Sequence, residues 1–374
     1  MALKKLALPH GIRAISHTLG HAFPMPAYLM MPAAGIDISD SSIKWLVLKM
    51  KHTHVEIASF GEIKLEKGIV MNGSVRDVTA LAAALTEVKK QLGGIRAAHA
   101  GLPEEAAYVF EMHIAEGISR HEAMSLIEFE FEGRIPIPPN AAVYDFDIIQ
   151  KHDDGVGEDI GVSVFPRELA ESYAAAFETA GIRLLSLELE ARSIARAVTK
   201  EGDETVTLLV DFGRARTGFA VLKRGIPIFT STVEVGGDAI TNSLMGTMSL
   251  SEVDAIKFRN EQGLTASGEK LKGLDAIIPV ASALSDEIAR HFHYWDTRRN
   301  EHGERMTPVS KVVLVGGSTN LQGLGEYIAG RVQAPAIPGD VWVRTDFGDT
   351  VPQIDKRTSL QYATAVGLAL RTYL

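Results

Sequence analysis

Cysteine is absent from all 374 residues, which excludes disulfides, thiolate metal sites and a cysteine nucleophile and fits a reducing interior. No apolar run reaches the ~20 residues that a membrane-spanning helix needs, and no low-complexity tract interrupts the chain. Basic residues are in deficit, with 38 Lys and Arg against 47 Asp and Glu and a formal charge of −9, so a general nucleic-acid or anionic-membrane surface is disfavoured. What remains is a chain of 46% hydrophobic residues, enough to bury a large core in two or more domains. A cytoplasmic protein with peptide or small-ligand partners is the expectation.

Residues 1–33 differ from the rest and read as an N-terminal extension. They are basic (Lys4, Lys5, Arg13), rich in histidine and closed by Pro24, Pro26 and Pro32, without the compact apolar stretch and small-residue cleavage site of a secretory signal. Ile12, Ile15, Leu19 and Phe23 fall on one helical face, so a short docking helix competes with the more ordinary reading of a loosely ordered terminus. His17 and His21 share a helical face but lack a third metal ligand nearby.

From Ala34 the pattern is β: Ile36 and Ile38, Ile43 to Leu48, and Val55 to Leu65 predict a three-strand meander. A helix over Asp77 to Leu92 and a strand over Arg96 to Ala100 follow. Next come a strand (Ala107 to Ile114), a helix (Ser119 to Phe131), two strands around a loop at Asp153 to Gly157, a helix begun at Pro166 and ended at Gly181, and a strand from Ile182 to Leu187. A helix from Glu190 to Val198 leads into a second meander over Val206 to Val210, Phe219 to Leu222 and Ile226 to Val233. The stretch from Gly236 to Thr307 is mainly helical, its longest helix running from about Leu274 to Arg299. A buried strand at Lys311 to Val315 precedes helices at Leu324 to Val332 and Ser359 to Leu370.

The recurrence organises the chain: Gly35-Ile36-Asp37-Ile38-Ser39 and Leu209-Val210-Asp211-Phe212-Gly213 each end an apolar strand at an aspartate and a tight turn. Two such aspartates, one per lobe, are what a metal–nucleotide cleft requires, because carboxylates orient hydrated Mg2+ while turn amides face phosphate oxygens. Either alone is an ordinary turn residue. In Val312-Val313-Leu314-Val315-Gly316-Gly317-Ser318, two glycines between strand and helix let a flat ring approach the backbone. Asp254 and Lys257, spaced i,i+3 on a predicted helix, can reach ribose or adenine together or form a solvated pair. His291, His293 and Trp295, and likewise His52 and His54, read as packing or surface residues.

Gly35 to Lys44, Asp211 to Thr217, Gly236-Gly237-Asp238 and Val313 to Ser318 resemble the motif set of the superfamily of actin, sugar kinases and heat-shock chaperones, over nearly the whole chain from Ala34. The resemblance implies an α/β, actin-like (ribonuclease H-like) two-lobed ATPase fold with an inserted α+β subdomain. It places residues 34–101 with 187–205 and 351–374 in the first lobe, 102–186 in the insertion, 206–235 and 311–350 in the second lobe, and 236–310 in a mainly helical subdomain. It implies ATP and Mg2+ as cofactors. The cofactor set would be Asp37, Ser39, Asp40, Ser41, Ser42 and Lys44; Gly213, Arg214, Ala215, Arg216 and Thr217; Gly236, Gly237 and Asp238; Asp254 and Lys257; and Gly316, Gly317 and Ser318. Asp37 and Asp211 would hold the metal, and Glu190, on what looks like the connecting helix, would position water beside Asp211 as the catalytic pair.

The insertion is similar to that of the branch holding the cell-division protein FtsA and the type IV pilus protein PilM. FtsA proteins end in a linker and a membrane-binding amphipathic helix, whereas this chain stops at Arg371-Thr372-Tyr373-Leu374, so the PilM family fits better. That resemblance implies a cytoplasmic adaptor at the inner face of the inner membrane, gripping the N-terminal peptide of a PilN-like partner, with self-association open and no nucleic acid. Ser39 stands where the family generally has glycine, and Arg214, Ala215 and Arg216 replace a glycine-rich loop, so binding is expected and weak ATPase activity at most. An FtsA-like division protein and a small-metabolite kinase are the competing readings.

Overall fold

The computed structural model describes residues 31–51, 54–152, 157–299 and 305–374. The face formed by Ile12 to Phe23 and the pair His17 and His21 lie outside them, as does His52.

Three sheets organise the chain. In the first, β1 (Ala34–Ile38), β2 (Ser42–Lys51) and β3 (His54–Lys64) form an antiparallel meander. Beyond a two-residue hairpin of β4 (Val70–Met71) and β5 (Ser74–Val75), helix α1 (Val78–Gln91) leads to β6 (Ala97–Leu102), which pairs parallel to β1. Asp77 caps α1 by accepting from the Ala80 amide at 2.9 Å, satisfying a donor that the first turn leaves without a helical partner.

An α+β module interrupts this lobe. Strands β7 (Tyr108–Ile114), β8 (Ala142–Lys151) and β9 (Glu158–Pro166) form an antiparallel sheet ordered β7-β9-β8, beside helix α2 (Arg120–Arg134). Ser119 and Glu122 form a reciprocal capping box that starts α2. Helix α3 (Arg167–Ala180), stopped by the left-handed Gly181, returns the chain to β10 (Arg183–Leu189), which completes the first sheet in the order β10-β6-β1-β2-β3.

After α4 (Glu190–Val198) the plan repeats. Strands β11 (Val206–Phe212), β12 (Thr217–Lys223) and β13 (Ile226–Val233) are a second meander. Helices α5 (Gly237–Met248), α6 (Glu252–Glu261) and α7 (Leu271–Thr297) separate it from β14 (Lys311–Val315), α8 (Leu324–Val332) and β15 (Ala336–Pro338). The second sheet runs β13-β12-β11-β14-β15, the same antiparallel-then-parallel order as the first.

The chain closes with α9 (Lys356–Ser359) and α10 (Ala363–Leu370). Every residue of α10 is buried, as an all-round apolar helix must be in a soluble core. It crosses α4 so closely that a Cβ at Gly367 would fall 1.7 Å from the Ser193 carbonyl oxygen. Below the crossing, Arg196 reaches Glu188 with both terminal nitrogens at 2.5 and 2.8 Å, and Arg371 pairs with the same carboxylate. No helix among the described residues is long and apolar enough to cross a membrane.

Three details depart from the sequence pattern. Asp211 and Phe212 are still strand, paired with Gly218 and Thr217, so the tight turn starts two residues later, at 213–216. The predicted helix from Ser359 is broken by a 3-10 turn at Leu360–Tyr362. The hairpin β4–β5 and the edge strand β15 are too short to leave a period-2 signature.

Candidate nucleotide cleft

The repeated topology brings the ends of equivalent strands face to face. Asp37 lies near the end of β1 and Asp211 near the end of β11, and burial pushes both carboxyls above the usual range, Asp211 to about 6. The Asp37 charge raises Asp211 further, while Lys44, opposite Asp37 on β2, opposes the rise at both. Lys44 is only 15% exposed and reaches Ser42 Oγ at 3.3 Å and Glu62 at 3.5 Å.

Two further carboxylates complete the cluster. Glu104, just past the end of β6, hydrogen-bonds Glu190 at the start of α4. Burial raises Glu104 to about 7, and burial followed by the Glu104 charge carries Glu190 well above the carboxylate range. Four carboxyls therefore share a desolvated space in which one ammonium is close enough to lower two of them. Like charges in a partly desolvated space resist joint ionisation, a repulsion that a divalent cation would relieve. Carboxylate oxygens are the donor type that a hard cation such as Mg2+ takes, directly or through its water shell.

Around the carboxylates stand three loops. In the first, the Ser39 amide donates to the Ser42 carbonyl at 2.9 Å and Ser39 Oγ accepts from the Ser42 amide at 3.2 Å, so the serine side chain closes the turn itself. Ser41 is exposed, and Ser42 is buried. Asp40 accepts from the Asn72 and Gly73 amides at 3.0 and 3.1 Å. In the second loop the Gly213 amide donates to the Arg216 carbonyl at 3.0 Å, and Thr217 Oγ1 donates to Val235 O at 2.6 Å. Arg214 turns outward to Asp238 at 3.2 Å and Glu252 at 3.5 Å, with Ala215 exposed beside it. Arg216 turns inward and pairs with both Asp40 and Glu105, spanning the cleft from the second loop to the first lobe.

Gly236 and Gly237 open α5, whose Gly237 amide donates to Gly213 O at 3.0 Å, tying this turn to the second loop. The third loop follows β14. Gly316 has φ +91°, and a Cβ there would lie 2.3 Å from Asp211 Oδ1, so only glycine admits both the backbone and the carboxylate. Gly317 continues the loop, and the buried Ser318 packs against Gly237.

The structure thus brings Asp37, Lys44, Asp211, Glu190, Arg216, Gly237, Gly316 and Ser318 to one cleft. Asp254 and Lys257 are set apart from each other's role: Asp254 accepts from Ser251 Oγ at 2.6 Å at the start of its own helix, and Lys257 is exposed. The residue of α6 that turns inward is Arg259, 3.3 Å from Gly237 O and from Thr241 Oγ1. Arg259, Glu104 and Glu105 escaped the sequence reading. For Glu104 the sequence does hold a signal, because β6 occupies the place in the first sheet that β14 occupies in the second and so offers a third strand end.

The family model described as type IV pilus assembly protein PilM matches residues 35–373. Among solved structures, the PilM–PilN type IV pilus biogenesis complex superposes with a TM-score of 0.74 at 19% identity, covering 92% of this chain and 99% of that one. The ethanolamine utilization protein EutJ from Carboxydothermus hydrogenoformans follows at 0.53 and 16% identity (93% and 90% covered), and MreB 5 of Spiroplasma citri bound to AMPPNP at 0.51 and 10% (90% and 94%). The cell division protein FtsA of Streptococcus pneumoniae is 21% identical over 332 residues, 78% of this chain and 72% of its own length. The fold is accordingly the actin-like, two-lobed α/β fold, and the chain belongs to the PilM family of type IV pilus assembly proteins.

Proposed function

We propose that the protein is an ATP-binding assembly adaptor of type IV pilus machinery, whose cleft holds Mg2+–ATP and whose inserted module grips the cytoplasmic peptide of a PilN-like inner-membrane protein. The observation that carries the nucleotide half is the four-carboxyl cluster with Lys44 beside it and Arg216 bridging the neighbouring Asp40 and Glu105. Asp37 and Asp211 would orient the hydrated Mg2+, which neutralises phosphate charge when bound. Lys44 and Arg216 would pair with phosphate oxygens, Arg216 exchanging Asp40 and Glu105 for a charge of the same sign. Gly316, Gly317 and Ser318 would face the adenine, with Arg259 holding the α5 turn behind them.

Binding is favoured over turnover for a specific reason. Burial, followed by the Glu104 charge, raises the Glu190 carboxyl well above the usual range, and it hydrogen-bonds Glu104, so the ionised form that would act as a base toward water is disfavoured until a cation lowers it. Weak ATPase activity at most follows.

The peptide half rests on family membership and on an apolar edge of the module. Phe129 on α2 is 81% exposed and Leu126, one turn before it, 44%. Side chains three apart on a helix share a face, and together they would anchor an amphipathic peptide. A partner in the inner membrane would hold the adaptor at its cytoplasmic face.

Calorimetric titration tests both halves. Mg2+–ATP is expected to bind the intact protein and to lose binding in Asp211→Ala. A peptide copied from the N-terminus of a PilN-type protein is expected to bind the intact protein and to bind Phe129→Ala at least ~30-fold more weakly, as loss of a buried aromatic anchor costs about 2 kcal/mol or more. Equal ATP affinity in Asp211→Ala would refute the assigned site.

A further inference from the structure

At the end of the module sheet, away from the nucleotide cleft, three metal-ligating side chains from adjacent strands meet. His113 of β7 stands directly across from Asp159 of β9, and His152 follows the last residue of β8 on the other side. His113 Nδ1 lies 3.0 Å from Asp159 Oδ1, and His152 Nε2 lies 3.2 Å from Asp159 Oδ2. The three ligand atoms fall within 4.8 Å of one another, and among the described residues this is the group of histidine and acidic side chains with that geometry. We propose that His113, His152 and Asp159 form a binding site for a divalent transition-metal ion of the Zn2+ class.

The donor set argues the metal. Two imidazoles and one carboxylate suit Zn2+ and its first-row neighbours, whereas Mg2+ and Ca2+ select oxygen-only shells. In a tetrahedral Zn2+ site with bonds of about 2.0–2.1 Å, ligand atoms sit roughly 3.3–3.4 Å apart. The His–Asp separations of 3.0 and 3.2 Å, one to each oxygen of Asp159, are close to that spacing, and the ligand atoms of all three residues lie within 4.8 Å of one another. Both histidines are partly open to solvent, His113 at 45% and His152 at 32% of the side chain, so an ion has an entry path and water can fill the remaining position.

The surroundings provide for the charge that metal binding displaces. Lys223, at the end of β12 in the second lobe, lies 3.3 Å from Asp159 Oδ2 and 2.6 Å from Glu111 Oε1. A bound cation takes the place of the ammonium at Asp159. Glu111 Oε2 is buried and makes no hydrogen bond, so Glu111 has a vacant acceptor with which to keep Lys223. The site therefore lies where the inserted module meets the second lobe, and occupancy would release Lys223 from Asp159 while its existing contact with Glu111 remains.

The test is a titration of tag-free, full-length protein with ZnCl2 by calorimetry and with CoCl2 by visible absorption, in parallel with His113→Ala and His152→Ala, each checked for an unchanged melting curve. The chain has 12 histidines, including His17 and His21 near the N-terminus, so the variants decide where the ion sits. The expected result is one saturable equivalent, a tetrahedral Co2+ spectrum, and a loss in each variant exceeding the ~10–100-fold that an outer-shell partner costs. No saturable binding below millimolar Zn2+, or an affinity in either variant unchanged from the parent protein, overturns the proposal and leaves an ion-paired network around Lys223.

Discussion

Replacing Glu104 by glutamine should stabilise the apo protein, and only above mildly acidic pH. Glu104 ionises near 4.5 in an unfolded chain and is raised to about 7 in the fold by burial, with the Asp211 charge adding to the rise and the hydrogen bond from Glu190 opposing it. A shift of that size corresponds to about 3 kcal/mol, at about 1.4 kcal/mol per unit. The sign follows from proton binding: between the unfolded and folded values the native state holds more protons, so stability falls as pH rises through that window. Below about 4.5 both states are protonated and the penalty is absent; above about 7 it is present in full. Glutamine keeps the carbonyl that accepts from Glu190 but cannot ionise, so the variant escapes the penalty. Because the two glutamates share a proton, the apparent midpoint belongs to the pair. The assay is thermal unfolding followed by tryptophan fluorescence at pH 5, 6, 7 and 8 without nucleotide or Mg2+. The variant should lie close to the parent at pH 5 and melt roughly 4 °C higher at pH 8, taking ~1.3 °C per kcal/mol from an unfolding entropy of ~2.1 cal/mol/K per residue over this length. A difference that does not change with pH, or a variant less stable at pH 8, would refute the assignment of a repelling carboxyl cluster.

Glu188→Ala should be strongly destabilising, by about 3–5 kcal/mol in urea unfolding, because it leaves the buried Arg196 and its neighbour Arg371 without their shared carboxylate; a loss under 1 kcal/mol would show that the pair is solvated. Arg216→Ala should weaken Mg2+–ATP binding by roughly 10–100-fold, the worth of a charged hydrogen bond, and unchanged or tighter binding in calorimetry would mean that Arg216 obstructs the phosphates.

Much of the fold was legible because its pattern is local. Asp77, Ser119 and Gly181 mark helix ends through side-chain or backbone chemistry within a few residues, and each does so in the structure. The repeat was visible as two apolar strands ending at Asp37 and Asp211, and the sheet orders confirm that the repeat extends to five strands per lobe. The placement of Asp211 inside β11 was not visible, because the register that keeps it paired with Gly218 depends on β12. At the cleft, the motif residues on strand ends carry a local signal, whereas Glu104, Glu105 and Arg259 lie in segments whose local sequence reads as an ordinary turn or helix face.

The amino-acid sequence by itself determined the absence of thiol chemistry, the alternation that makes two meanders, and the glycines and aspartates that end their strands, since each of these follows from a residue's own bonding and its near neighbours. Only the tertiary structure decided the ionisation of the cleft and the partners of its charges. Burial in common raises Asp37, Glu104, Glu190 and Asp211 together, Arg216 meets Asp40 from 176 residues away, and His113 meets Asp159 across 46. Desolvation and Coulomb interaction depend on distance through the folded protein and not along the chain, so no local pattern carries them.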